Sequence, residues 1–328
     1  MPHHVEVVCL GEAVVDMVSL RAGATIKDSP GFLKAPGGAP ANVAVMLSRL
    51  GHGARFVGKV GRDPFGQFLQ DALEMEGVDT SHLIKTEDAR TTLAFVSLSN
   101  SGERDFLFYR NPGADLLLDE IEVGQACLEG ARILHLGSVS LASNPSRTAT
   151  LRCLRDAQAL GLTVTFDPNL RHDLWVAEAE ARRWTMRAVA GVEVLKLATD
   201  EAMFLSGEHS VEDAAAWLIH QGPGLVVVTL GEQGCYYARQ DASGWIMPYP
   251  TNPVDTTGAG DAFMGALIAR LLEAQVHPRE LMPSQIEDIL SFCNAAGALA
   301  VSRRGAVPSL PSREEVEALV AQAAGPGL

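Results

Sequence analysis

The chain has 328 residues, 47% of them hydrophobic and 20% charged, with 26 Lys and Arg against 40 Asp and Glu for a net charge of −14. This is a globular balance, long enough for one large domain or two ordinary ones. The negative field argues against nucleic acid and anionic membrane as general partners, while a small anionic ligand needs only a local positive site. Cys9, Cys127, Cys153, Cys235 and Cys293 are scattered, odd in number and free of any Cys-x-x-Cys pair. That argues against a disulfide framework or zinc site and for a reducing, cytoplasmic compartment. No basic segment followed by an apolar run marks a signal peptide at the N-terminus.

In chain order, residues 5–10 are a β-branched apolar run that reads as a buried strand. A segment at 13–24 follows, then a helical pattern at 41–50 closed by Gly51. Residues 56–60 read as a strand, and 65–76 as a helix ending at Gly77. Strand-like runs at 91–99 and 104–110 flank Asn100-Ser101-Gly102, a hairpin turn signal with no helix between. Further apolar runs at 133–136, 162–166, 192–197 and 225–230 alternate with helical patterns at 146–160, 177–189 and 211–220. Residues 263–272 are apolar on one helical face. The stretch 286–301 carries Glu287, Asp288 and Asn294, so it reads as a buried helix and not a membrane span. The tail 325–328 reads as loose. This alternation predicts a mostly parallel sheet covered by helices on both faces. The runs near 13–35 and 91–110 predict a small projecting sheet, a lid, on one domain spanning 1–328. Its strand edges, with Phe95 and Phe106, predict pairing with a second copy.

The strongest chemical signal is Asp255-Thr256-Thr257-Gly258-Ala259-Gly260-Asp261-Ala262-Phe263. Gly258 and Gly260 permit a tight turn into a helix, where bare backbone N–H groups at the positive dipole end form an anion site. Asp261 in the first turn would repel a simple anion. It makes sense as a base that takes a proton from a hydroxyl attacking phosphorus. A second element, Pro36-Gly37-Gly38-Ala39-Pro40-Ala41-Asn42, also precedes a helix; its backbone can approach a ligand, and Asn42 can donate and accept, as sugar hydroxyls require. Asn42 reads equally well as a capping residue. Asp16 follows the first strand, where carboxylates of open α/β sheets often face a ligand crevice, although a solvated turn residue fits the position as well. No Gly-x-x-x-x-Gly-Lys-Ser/Thr, Gly-x-Gly-x-x-Gly after the first strand, His-Glu-x-x-His or Gly-x-Ser-x-Gly occurs.

These strings resemble the signature regions of the ribokinase-like (PfkB) carbohydrate kinases, over about residues 5–311. The stretch from Lys34 to Val45, Phe108-Tyr109-Arg110-Asn111-Pro112-Gly113-Ala114-Asp115 and Asp167-Pro168-Asn169-Leu170-Arg171 look most like the fructokinases. The resemblance implies a three-layer α/β/α sandwich and an ATP-dependent sugar kinase. It implies Asp261 as catalytic base and Gly258, Ala259 and Gly260 as a backbone anion hole. Sugar contacts fall to Asp16, Gly38 and Asn42, with Phe108 and Arg110 on the lid and Arg171 reaching substrate or phosphates. Thr229, Gly231, Gly234 and Asn294 match the ATP site. Asp255, Thr257, Ala300, Arg303, Gly305 and Ser309 align with a monovalent-cation site that takes K+, mostly through backbone carbonyls. The family often carries Asn-x-x-Glu near Mg2+; here Ala198 replaces the polar residue and Glu201 remains. Mg2+ would then be held by phosphates and water, with Glu201 and Asp167 acting through that water. The implied reaction is γ-phosphoryl transfer to the 6-hydroxyl of D-fructose. The alternatives are 2-keto-3-deoxygluconate as acceptor and a non-catalytic sugar or nucleotide sensor.

Overall fold

A computed structural model describes residues 4–21, 23–98 and 104–324. The turn expected at Asn100-Ser101-Gly102 and the tail at 325–328 lie outside these residues. The chain runs β1 (Val7–Leu10), β2 (Val14–Ser19), β3 (Phe32–Gly37), α1 (Ala39–Arg49), β4 (Ala54–Gly61), α2 (Pro64–Met75), β5 (Asp79–Thr86), β6 (Leu93–Leu98) and β7 (Arg104–Tyr109). It continues through β8 (Ile133–Gly137), α3 (Ser146–Ala159), β9 (Thr163–Asp167), α4 (Glu178–Val189), β10 (Val194–Ala198), α5 (Thr199–Ser206), α6 (Val211–Ile219), β11 (Leu225–Thr229), β12 (Cys235–Ala238), β13 (Ser243–Ile246), α7 (Ala259–Ala274), α8 (Pro283–Val301) and α9 (Arg313–Ala324).

Nine strands form one sheet in the order β13-β12-β11-β10-β9-β8-β1-β4-β5, parallel except for the antiparallel pairs of β12 with β11 and with β13. Strand alternation builds a core on each face. Val7 and Cys9 join α1, α2, α7, α8 and α9 on one side, and Val8 and Leu10 join α3, α4, α5 and α6 on the other. Strands buried on both faces are apolar at most positions, which makes the runs at 133–136 and 225–230 legible. The fold is thus the ribokinase-like three-layer sandwich. Among the described residues, no helix is long and apolar enough to cross a membrane.

The second sheet has four strands in the order β3-β2-β6-β7. The segment expected at 13–24 is shorter as a strand and pairs antiparallel with β3, and Asp16 stands inside β2 opposite Ala35 and Ala94, not in a turn. Asp63 fixes where this sheet leaves the body. Its Oδ1 accepts from Phe65 N (3.0 Å) and Gly66 N (2.9 Å), capping α2, while Oδ2 accepts from Thr91 N (2.9 Å) just before β6. Strand β5 escaped the sequence reading because Asp79, Thr80, Ser81 and His82 at a sheet edge leave no apolar run.

Candidate active site

Strand β1 sits inside the sheet: the chain steps to β4 and β5 on one side, then returns to β8, β9, β10 and β11 on the other. Such a reversal opens a crevice at the carboxyl ends of the strands. Into it project Glu12 after β1, Asp167 at the end of β9 and Lys196 near the end of β10. They meet the N-termini of α1 and α7 and the inner face of the small sheet in one cavity of about 160 Å³.

Helix α7 is entered through its N-cap, Gly258, whose φ of 81° is left-handed. A Cβ there would sit 3.1 Å from Ala306 Cα, so only glycine makes this entry without strain. The unpaired amides of a helix's first turn open on the crevice. Asp261 lies in that turn, 7% exposed, and accepts a hydrogen bond from Asn42 Nδ2 at 2.7 Å. Burial pushes its carboxyl up to about 6; Asn42 and the charge of Lys196 pull the other way, and Asp167 adds to the rise. A carboxylate titrating there is ionised at neutral pH yet more basic than a solvated one.

Lys196 donates to Asp167 Oδ2 at 2.8 Å, and a Cβ on Gly260 would approach its Nζ at 2.9 Å, so the ammonium stands over the start of α7. Burial opposes that charge, but Asp167, Glu201 and Asp261 outweigh it and hold the ammonium above its ordinary pKa. The other carboxylate oxygen, Asp167 Oδ1, is buried without a hydrogen-bond partner. Glu201 stands behind this wall. Its Oε1 accepts from Leu170 N (2.5 Å) and its Oε2 from Ala198 N (2.8 Å), which ties it to the start of α5. Asp167 is therefore better placed than Glu201 to offer an oxygen to a hydrated cation. Among the described residues no cluster of three or more His, Cys, Asp or Glu could hold a metal by itself. Magnesium, which keeps several waters and uses one or two carboxylates beside phosphates, fits such a sparse site.

The Gly37-Gly38 pair closes the opposite wall. A Cβ on Gly37 would strike the Asp16 carboxylate at 2.3 Å, and one on Gly38 would strike Glu12 O at 2.4 Å. Asp16, Gly38 and Asn42 line the cavity, together with Phe108, Arg110 and Arg171. Arg110 is paired to Asp115 at 2.5 Å in a nearly dry setting. Arg171 Nη1 donates to Asn169 Oδ1 at 2.6 Å, and its charge acts on Asp261.

A second cavity of about 520 Å³ adjoins the first, sharing Thr256 and Gly260 with it. Thr229, Gly231, Gly234 and Asn294 line it, as does Ala259, and Phe263, Gly297, Ala298 and Val301 give it an apolar floor. Asn294 Nδ2 donates to Met247 O at 3.0 Å, binding α8 to the loop after β13. Beside the junction, Asp255 Oδ1 accepts from Thr257 N (2.9 Å) and Oδ2 from Gly305 N (2.9 Å), while Ser309 Oγ donates to Ala306 O (2.8 Å). These bonds bring the loops of Asp255 and Thr257 against those of Arg303, Gly305 and Ser309; Ala300 accepts from Arg303 N at 3.2 Å at the end of α8.

Sequence reading missed Lys196, Glu12, Thr92 and Asp115. Lys196 carried a signal, a charge set between Leu195 and Leu197 in an otherwise mostly apolar strand run. Asp115 closes the string that begins at Phe108, but its role comes from the bonds it makes to Arg110 and Thr92.

The sequence matches the pfkB family carbohydrate kinase profile over residues 5–313. It is 43% identical over 319 residues to fructokinase-1 of Oryza sativa subsp. japonica, covering 97% of this chain and 98% of the relative. Among solved structures, fructokinase from Xylella fastidiosa with bound ATP superposes with a TM-score of 0.89 at 33% identity, covering 97% of this chain and 99% of the other. A double mutant of the Vibrio cholerae O395 fructokinase, in a fructose, ADP and potassium ion bound form, gives 0.87 at 36% identity, covering 98% and 99%.

Proposed function

The chain belongs to the pfkB family of carbohydrate kinases, and from that premise we propose that it is an ATP-dependent fructokinase acting on the 6-hydroxyl of D-fructose. The observation that carries this reading is the placement of Asp261, buried at the N-terminus of α7 where a small polar cavity meets a larger, partly apolar one. The larger cavity takes the nucleotide, with its γ-phosphoryl group at the shared Gly260. The smaller takes the sugar. Asp261 accepts the hydroxyl proton as the oxygen attacks in line, and the amides of Gly258, Ala259 and Gly260 take up charge on the transferring group. Lys196 adds a fixed positive charge beside that group, and Arg171 a second. Magnesium bound with ATP would neutralise phosphate charge, with Asp167 Oδ1 as the oxygen best placed to reach its water. Phe108 and the small sheet exclude water from the sugar.

The cavity's charge favours a neutral acceptor. The carboxylate of 2-keto-3-deoxygluconate would enter beside Glu12, Asp16 and Asp115, with Arg110 already paired. A silent sensor gains nothing from a carboxylate set beside a phosphate site. ADP release measured against a panel containing D-fructose and 2-keto-3-deoxygluconate tests the reading: kcat/KM is expected to be highest for fructose, and a higher value for the keto acid overturns it.

The loops around Asp255 and Gly305 are our candidate site for a monovalent cation such as K+, whose charge would lie behind the anion hole. The five cysteines are buried and free, which supports a reducing cytoplasm. The small sheet exposes Leu20 (64%), Leu33 (64%) and Tyr109 (63%) around its edge strands β3 and β7. The side chain of Phe106 lies outside what the structure describes, and Phe95 packs its ring against Phe32 and Tyr109. We assign this surface to a homodimer contact. Light scattering at micromolar concentration should return twice the chain mass, and a monomer there refutes it.

A further inference from the structure

Four buried polar atoms without hydrogen-bond partners belong to residues lining the sugar cavity: Asn42 Oδ1, Asp167 Oδ1, Glu12 Oε2 and Arg110 Nε. The first two flank Asp261. The other two belong to a separate group. Glu12, 6% exposed, accepts at Oε1 a hydrogen bond from Ala39 N at 3.1 Å. Arg110 gives Nη2 to Asp115 Oδ2 at 2.5 Å, and Asp115 Oδ1 accepts from Thr92 Oγ1 at 2.5 Å. Their side chains are 5% exposed for Arg110 and 3% for Asp115. An acceptor and a donor left unsatisfied in a dry wall are unfavourable until a ligand supplies the missing bonds. Only a group that both donates and accepts serves the two together, which describes a hydroxyl. The group's formal charge, two carboxylates against one guanidinium, disfavours an anion.

Helix α1 gives the scale. Glu12 touches it at Ala39 and Asp261 touches it at Asn42. Three residues, about 4.5 Å along the axis, separate the two contacts. A furanose whose 6-hydroxyl lies at Asp261 therefore presents its other end, the anomeric carbon with its hydroxyl and hydroxymethyl, to Glu12 and Arg110.

Resting on the fructokinase reading, we propose that Glu12 is a specificity-determining residue. It accepts a hydrogen bond from a hydroxyl at the anomeric end of the ketohexofuranose. Arg110, held in place by Asp115, donates back to the same end. Burial pushes the Glu12 carboxyl up to about 7, with its own backbone N–H and the Arg110 charge acting against the rise.

The test compares kcat/KM for D-fructose with that for 2,5-anhydro-D-mannitol, which lacks the anomeric hydroxyl, and 1-deoxy-D-fructose, which lacks the hydroxyl on C1. The unaltered chain should prefer fructose over at least one analogue by about 10-fold or more, the range of a hydrogen bond to a charged group. In Glu12→Ala, and in Glu12→Gln, which keeps an acceptor for Ala39, fructose should lose that advantage, leaving the ratio within about threefold of one. Thermal midpoints identify folded variants. A folded variant that keeps the unaltered ratio, losing activity equally on all three sugars, overturns the proposal and reduces Glu12 to a support for α1. So does an unaltered chain that does not distinguish the sugars. If the unaltered chain releases no ADP with fructose, the fructokinase reading falls and this inference with it; normal fructose turnover with an unchanged ratio sinks the inference alone.

Discussion

At the scale of single residues, the chemistry turns on a carboxylate made more basic than usual and one amide that restrains it. Asp261 must be ionised to accept a proton, and burial lifts it to about 6. The kcat/KM for fructose should therefore fall about tenfold per pH unit below that value. Asn42 donates to the carboxylate and so lowers its pKa. Removing that bond in Asn42→Ala should move the acid limb to higher pH, in addition to any loss of sugar affinity; an unmoved limb would detach Asn42 from the base. Asp261→Asn should lower kcat by about 100- to 10,000-fold, the usual share of a general base, with ATP affinity measured by calorimetry nearly unchanged. Near-normal turnover in that variant would remove Asp261 from the role.

At the scale of elements, helix α1 shows the same residue type serving two ends differently. Gly38 at its start has a φ of 104°, and an added Cβ would meet Glu12 O at 2.4 Å. Gly51, just past its end, has a φ of 86° and nothing within 4 Å of an added Cβ. Gly51→Ala thus meets only the left-handed backbone, a cost of about 1–2 kcal/mol. Gly38→Ala adds a clash with the turn that carries Glu12, so it should destabilise further and raise KM for the sugar as well. Urea midpoints and fructose KM for the pair separate these effects: a Gly38→Ala variant with unchanged KM would show that the turn does not shape the sugar cavity. The elements around the site follow the same logic, since α7 and α1 approach closely where a Cβ on Gly265 would meet Met46 at 2.6 Å.

At the scale of the molecule, the C-terminal helix is tied back to the body by charge. Glu273 on α7 accepts from Arg313 at 2.6 Å and contacts His52 Nε2 at 3.2 Å, and His52 Nδ1 contacts Glu6 at 3.0 Å. Burial works against its ionised form, but His52 and Arg313 hold Glu273 down to about 2, below its ordinary 4.5. Hydrogen bonding to Glu273 in turn raises His52 above its ordinary 6.5 against burial. Glu273 thus contributes stability that is present above pH 4.5 and lost as pH falls toward 2. His52 contributes stability that is complete below pH 6.5 and lost as pH rises through its folded value. Thermal midpoints across pH should decline on both sides of that window, and Glu273→Gln should flatten both limbs; unchanged limbs in the variant would locate the pH dependence elsewhere. None of this network was legible in sequence, since His52 and its partner Glu273 lie 221 positions apart. What the sequence by itself determined were the features whose cause is local. Short, mostly apolar runs mark strands buried on both faces, and Gly258-Ala259-Gly260-Asp261 marks a helix N-terminus able to take an anion beside a base. Tertiary structure alone decided what each isolated charge meets. It turned Glu201 into the start of α5, set Lys196 over α7, paired Arg110 with Asp115, and brought Asn42 to Asp261 across 219 positions. A buried polar atom takes its role from the partner that satisfies it, and the fold, not the neighbouring sequence, supplies that partner.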